Sequence, residues 1–451
     1  MKNFTKIICL LLCATTLGLV AVGCKNSSGS TSTNTSTSST KLGGSITFWM
    51  QKYGNDPSAQ TKFLNKITKD FKAQTGVTVN YSILDWSTAL TKYTLASTGG
   101  AAPDVAETFF AYSQVKMGNN KYGPMQIDDV VKEVGFDKFY DFAKPECFVN
   151  GHWYALPWRG DTRAAVYNTK DFADAGIKSF PKTYAELIAV AAKLVKKDSS
   201  GTITKSAYVF SGNNQRFDQT WWSVLAGHGS KLMNDDYSKF TIFSDSKAKD
   251  SLQFMQDSVF KYAFMPKNVI DPTYDSGKLY MAGKVSIILG AGPGTLLDIH
   301  AQAPQLESVT KSAVMPSLTG SDSDISSIAF AAPVCVYQTT KNPIAAKAWL
   351  KYFISKEVQL DACKSMQLVD TRKDVMNDNY FSSNDWFKNF TQQTSQAVPG
   401  DMPLPTWSQI DAFPSGPINT MCMKIMQGQD VQKSMDACKA AIEKILPGST
   451  N

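Results

Sequence analysis

Residues 71–83 read FKAQTGVTVNYSI, and the change of period within them decides the fold class. Up to Phe71 the apolar positions step by four (Phe63, Ile67, Phe71), which places them on one face of a helix. Gly76 stops that helix, because glycine takes the left-handed conformation at a helix end without strain. From Val77 to Ile83 apolar residues alternate, the mark of a strand with one buried face. Outward on one side, Gly44 to Trp49 reads as a strand from its β-branched and aromatic content. On the other, Leu90 to Ser97 reads as a helix ended by Gly99-Gly100, and Pro103-Asp104-Val105-Ala106 opens a third strand. The order strand, helix, strand, helix, strand predicts a parallel α/β sheet.

A second set starts after Tyr154. Tyr154 to Trp158 and Ala164 to Asn168 flank a polar turn, and Thr183-Tyr-Ala-Glu186 forms a capping box ahead of an apolar face at Leu187, Val190, Ala191 and Leu194. Lys284 to Leu289 is a further strand. The helix after Pro343 turns Ala345, Ala348, Trp349, Tyr352 and Phe353 inward, and the last helix does so with Val431, Met435, Cys438, Ile442 and Ile445. A chain of 451 residues outgrows one core, so two domains are expected. Its hydrophobic content of 43% excludes a disordered chain. The net charge of +7 is spread among alternating Lys, Asp and Glu rather than gathered in a stripe, so no nucleic-acid partner is expected.

The N-terminus carries an address. Lys2 and Lys6 precede the apolar run Ile7 to Val22, and Gly23 is a small residue at the expected cut, so 1–23 reads as a signal peptide. Ala21-Val22-Gly23-Cys24 resembles a bacterial lipobox, with Ala21 where leucine is usual; it implies lipidation of Cys24. Residues 24–41 then form a Ser/Thr-rich linker with too little apolar content to fold. Beyond Cys24 five cysteines remain (Cys147, Cys335, Cys363, Cys422, Cys438), an odd number best read as buried free thiols. No zinc spacing, HExxH, GxSxG or Walker sequence occurs, so no metal, cofactor or catalytic residue is assigned. In Gly290-Ala-Gly292-Pro-Gly294 the third glycine of a dinucleotide fingerprint would fall on Thr295, so a tight turn is the better reading.

The aromatics are more informative. Trp49, Trp86, Phe109, Phe110, Trp158, Trp221, Trp222 and Trp407 lie mostly at strand ends, helix starts or loops. In open α/β sheets those ends face the ligand crevice. Aromatic faces stack on the C–H faces of sugars, while Asp, Asn and Arg bond the hydroxyls.

The ordered motifs resemble the extracellular solute-binding proteins of bacterial ABC importers, of the maltose-binding type (family 1). They are Ile46-Thr-Phe-Trp49, Phe71 to Val77, Ala101-Ala-Pro-Asp104-Val105, Leu156-Pro-Trp158 through Asp161-Thr-Arg163 to Lys170, Gly277 to Ser286, and Lys341-Asn-Pro through Trp349. The sequence departs from that pattern at Pro293-Gly294, where a tryptophan often follows the glycine, and at Asp370, where proline often precedes Thr-Arg.

The resemblance implies an α/β, two-lobed periplasmic-binding-protein-like fold (type II) with a ligand cleft between lobes. Crossings are expected near 159–166, 284–290 and 333–339. Lobe one is expected at 42–160 plus 288–335, and lobe two at 161–287 plus 336–451. Carried over by position, the expected ligand contacts are Trp49, Asp85, Trp86, Glu107, Asp161, Asn213, Trp221, Trp222, Arg372 and Trp407. The implied function is delivery of a mono- or oligosaccharide to a membrane permease, by a monomer lipid-anchored on the extracellular face. The alternatives are an exported polysaccharide-acting enzyme, or a binder of a polyamine, iron or an anion. An anion would make Arg159 and Arg163 ligands.

Overall fold

The helical period around Phe71 and the alternation after Gly76 fold as two neighbours in one βαβ unit. The computed structural model describes residues 42–53, 58–109, 111–118, 121–212 and 215–450. The signal, Cys24, the linker, Phe110 and Asn213 lie outside the described residues. The first strands are β1 (Ser45–Gln51), β2 (Thr78–Leu84) and β3 (Val105–Glu107), followed by β4 (Leu156–Thr162), β5 (Ala164–Asn168) and β6 (Ile203–Phe210). Then come β7 (Val285–Ala291), β8 (Thr310–Ala313), β9 (Ile328–Val336) and β10 (Val369–Asp370). The helices that matter below are α1 (Ser58–Thr75), α2 (Trp86–Gly99), α3 (Ala111–Gly118), α4 (Phe217–Gly227), α5 (Ser246–Phe260), α6 (Pro343–Phe353), α7 (Pro417–Met426) and α8 (Val431–Ile445).

Two sheets result. The first runs β10-β4-β9-β3-β1-β2, with Val398–Pro399 paired to β9; the second runs β8-β5-β7-β6 and ends on Lys196–Lys197. β1 is parallel to both β2 and β3, as the element order requires. Its alternate residues Ile46, Phe48 and Met50 are buried. Phe48 meets Trp349 of α6 edge-on at 5.5 Å, and Phe71 of α1 meets the same indole at 5.1 Å. Thr183 and Glu186 form the reciprocal capping box read from the sequence. In the second lobe, α7 packs on α4, α5 and α8. All five described cysteines are buried and unpaired. Among the described residues no helix is long and apolar enough to cross a membrane.

The chain passes between sheets first at Arg163, where β4 ends and β5 begins. The other expected crossings are corrected. β7 lies wholly in the second sheet, parallel to β6 and antiparallel to β5, and β8 stays there too. Residues 288–313 therefore belong with lobe two, and the return passage is 314–327. Residues 333–339 are no crossing: β9 pairs with β3 and β4, and Trp349 then anchors α6 on β1. Residues 336–376 thus stay with lobe one, and the third passage lies beyond them. The strand Val285–Ala291 is buried at all seven positions, and a strand without polar alternation carries no sign of the sheet it will join.

The three passages meet at Ser327. Its hydroxyl accepts from the Arg163 N–H at 3.1 Å and donates to the Arg163 carbonyl at 2.7 Å. Its carbonyl accepts from the Val398 N–H at 3.3 Å.

Candidate ligand-binding cleft

Parallel strands β1 and β3 end side by side, so the groups just past their carboxyl ends converge. Glu107, the last residue of β3, accepts from the Gln51 N–H at 3.0 Å and from the Tyr53 hydroxyl. The Arg159 guanidinium lies 4.6 Å over the Tyr53 ring. Tyr53 in turn meets Trp158 and Trp86 edge-on, at 5.6 and 5.9 Å. Trp86 opens α2. Its indole N–H donates to the Lys52 carbonyl at 2.6 Å, its ring lies 5.2 Å from Phe109, and it remains 48% exposed. A large aromatic held by a hydrogen bond yet left in water is a ready stacking platform. Asp85 sits beside it at the N-cap position, exposed and with no capping bond.

Arg159 and Asp161 on strand β4, and Arg163 just past its end, follow a period of two and converge on one side. Asp161 accepts from Arg163 at 2.6 Å and sits 3.8 Å from Arg159. Arg163 also donates to Gln219 of α4 at 2.7 Å and lies 5.0 Å over Phe330, joining the strand to the second lobe. Trp222 of α4 packs 6.0 Å from Phe330 and 5.8 Å from Trp407. The Trp407 indole donates to Asp401 at 3.0 Å. Arg216 forks onto Asp218 and reaches Asp411 at 3.2 Å. A Cβ on Gly292 would come within 3.1 Å of Asp161 Oδ1 and 3.2 Å of Arg163 Nη1, so the glycine turn closes tightly on the ion pair and a side chain there would press on it. The turn set aside as a false nucleotide motif therefore borders the cluster.

Carboxyls here outnumber the arginines that neutralise them. Burial pushes Glu107 up to about 7, against the opposing pull of Arg159, Tyr53 and the Gln51 N–H. Burial raises Asp401 to about 6, with Trp407, Arg216 and Arg163 opposing. Burial, then the neighbouring Asp401, pushes Glu146 well above the usual carboxylate range. Asp161 goes the other way: burial would raise it, but Arg163 and Arg159 outweigh that and hold it low.

Of the expected contacts, the structure brings Trp86, Glu107, Asp161, Trp222 and Trp407 into this cluster, with Asp85 at its edge. Three stand elsewhere. Trp49 faces α2, with its ring 6.3 Å from Tyr93, because β1 turns odd-numbered residues to that side. Trp221 is fully buried and its indole donates to Ser251 of α5 at 2.9 Å, one helical position round from Trp222. Arg372 is spent on Asp374 at 2.7 and 2.9 Å and on the Ile354 carbonyl at 2.9 Å, over the Phe139 ring. Sequence reasoning missed Tyr53, Phe330, Asp401 and Arg216. It named Arg159 and Arg163 only as possible anion ligands, although their two-residue spacing about Asp161 was a signal for one charged face.

Residues 55–360 match the family model described as bacterial extracellular solute-binding protein. The diacetylchitobiose binding protein DasA of Streptomyces coelicolor is 27% identical over 253 residues, a match spanning 55% of each chain. The chain is similar in structure to the GacH receptor of Streptomyces glaucescens, described unliganded and with acarbose: 22% identity, 91% and 100% of the two chains covered, TM-score 0.73. It is likewise similar to the sugar-binding protein MalE of Xanthomonas citri, at 16% identity, 89% and 97% coverage and TM-score 0.73. These structural likenesses carry the two-lobed fold.

Proposed function

The chain belongs to the bacterial extracellular solute-binding proteins, and from that premise we propose that it binds a carbohydrate between its lobes and delivers it, as a monomer, to the permease of an ABC importer. The observation that carries this reading is the pairing of aromatic rings with mixed charge: the half-exposed Trp86 on one lobe, Trp222 backed by the fully buried Trp407 on the other, and Asp161 with its two arginines between them. Stacking faces plus fixed donors and acceptors suit a ring of hydroxyls. Arg159 and Arg163 already have Asp161 as partner, which disfavours an anion as ligand.

The test is a thermal-shift screen of residues 25–451 against mono- and oligosaccharides. A ligand at 100 times its Kd adds about 2.7 kcal/mol to stability, a clear rise in Tm. The saccharide should then be recovered unchanged after incubation. A shift with a polyamine, a ferric chelate or an anion and with no sugar would overturn the carbohydrate reading. Product that grows with time and protein would favour the exported enzyme instead.

We also propose that a lipid on Cys24 anchors the protein at the outer face of the cell membrane. Support comes from the small residue before Cys24 at the end of an apolar signal, and from the Ser/Thr-rich stretch after it. Two acyl chains anchor stably where one binds marginally. Cys24→Ser is expected to move the protein from the membrane fraction to the medium; full membrane retention of the variant would refute the anchor.

A further inference from the structure

A cavity lies beside the pivot at Ser327. One wall is α4, where Trp222, Leu225 and Ala226 stand at steps of three and four on a single face. The loop after α4 adds Leu232 and Met233. The opposite wall comes from the first sheet, where Ile328 at the start of β9 pairs with Val398, and from Met402 just beyond. The space is about 600 Å³ with its mouth, within the range of small-molecule pockets. Among the described residues of the cluster, Trp222 alone borders it.

Two residues of the lining keep an orphaned polar atom. Trp222 is 3% exposed and its indole N–H has no hydrogen-bond partner; Ser230 is 6% exposed and its hydroxyl has none either. A buried polar group left unpaired costs stability, so each marks a place for a partner. The polar residues at the mouth are already engaged. Lys231 pairs with Asp235 at 2.6 Å, and the Asn234 side chain donates to Ser238 and accepts from the Lys239 N–H. The lining thus offers no spare charge. An indole N–H only donates, whereas a serine hydroxyl donates or accepts, so one hydroxyl group serves both. A water bonded to these two would still face carbon on its other sides, and buried water typically makes about three bonds.

We propose that this cavity is a second ligand site, for a neutral, mainly apolar molecule with one hydroxyl: a small phenol or alcohol. Its carbon body packs among Leu225, Met233, Ile328 and Met402, and its oxygen accepts from the Trp222 indole and meets the Ser230 hydroxyl. A carboxylate or ammonium would enter without a counter-charge, since Lys231 and Asp235 hold each other, and its own desolvation keeps it out. Ala226 makes the room, because a longer side chain at that position of α4 would occupy the space. The site stands whether or not the interlobe ligand is a sugar.

Titration calorimetry on residues 25–451 with p-cresol, toluene and p-toluate tests it. p-Cresol should bind with a Kd of about 0.1–1 mM, as a well-buried ligand of its size allows. Toluene, the same shape without the hydroxyl, should bind about fivefold more weakly, and p-toluate should not bind. Ser230→Ala should weaken p-cresol about threefold and leave toluene affinity and Tm unchanged. Ala226→Met, which fills the space, should weaken both by about tenfold or more. If Ala226→Met lowers the Tm too far for titration, Ser230→Ala alone decides. Absence of p-cresol binding would show that the space holds water only and overturns the site. Binding untouched by the variants lies elsewhere on the molecule and overturns it too. Equal affinity for toluene, or binding of p-toluate, overturns the assigned chemistry.

Discussion

Trp221→Ala and Trp222→Ala, one residue apart, are expected to fail in different ways. Trp221 is fully buried and its indole N–H is satisfied by Ser251. Truncating it removes a large core side chain and takes away the donor to the Ser251 hydroxyl, so unfolding stability should drop by about 3–5 kcal/mol. Ligand affinity, measured well below the Tm, should stay within about twofold of wild type. Trp222 is also buried, at 3% exposure, so some stability is lost there too. Its ring, however, packs against Phe330 and Trp407 at the cleft. Its truncation should weaken sugar binding by about 1–3 kcal/mol, the range for lost stacking and burial. Denaturant titration and calorimetry on both variants separate the two costs. Equal loss of affinity in both, or none in Trp222→Ala, would remove α4 from the site.

The second large effect is on pH and stability. Burial raises Glu107 from its ordinary 4.5 to about 7, so between those values the folded chain keeps a proton that the unfolded chain has released. Stability contributed by that proton is full below pH 4.5 and is lost as the pH rises through 7. At 1.36 kcal/mol per pH unit the interval amounts to about 3 kcal/mol. Asp401, raised to about 6, acts in the same direction, whereas Asp161, held low by its arginines, titrates below this window. The protein should therefore be more stable to urea at pH 5 than at pH 8, and Glu107→Gln should shrink that difference by roughly the amount given. An unchanged pH profile in Glu107→Gln would show that another group carries it.

Much of the first lobe was legible because its signals are local. The four-residue step through Phe71, the stop at Gly76 and the alternation after Val77 each constrain a few neighbouring residues, and the helix and strands formed where they point. The capping box at Thr183 is local in the same way. What could not be read is which distant partner a buried strand takes. Val285–Ala291 is apolar at nearly every position, and its place beside β6 rather than in the first sheet depends on packing across some 75 residues of chain. The same limit divides the candidate site. Trp86 and Glu107 could be found because they flank recognisable element ends. Tyr53, Phe330 and Asp401 became visible only when three remote segments folded against β4. Arg372 misled for the opposite reason: a charged residue within a family-like block was already engaged by its neighbour two positions on.

The three chain passages joined at Ser327 fix the mechanics of the molecule. A single connection would let one lobe swivel, slide and twist against the other. Three connections, pinned to one another by the hydrogen bonds of one serine to Arg163 and Val398, leave bending about a line through that serine as the easy motion. A lever of this kind converts a small rotation near the pivot into a larger displacement at the rim of each lobe, remote from Ser327. A partner reading the rim would then sense occupancy as a distance that is either long or short.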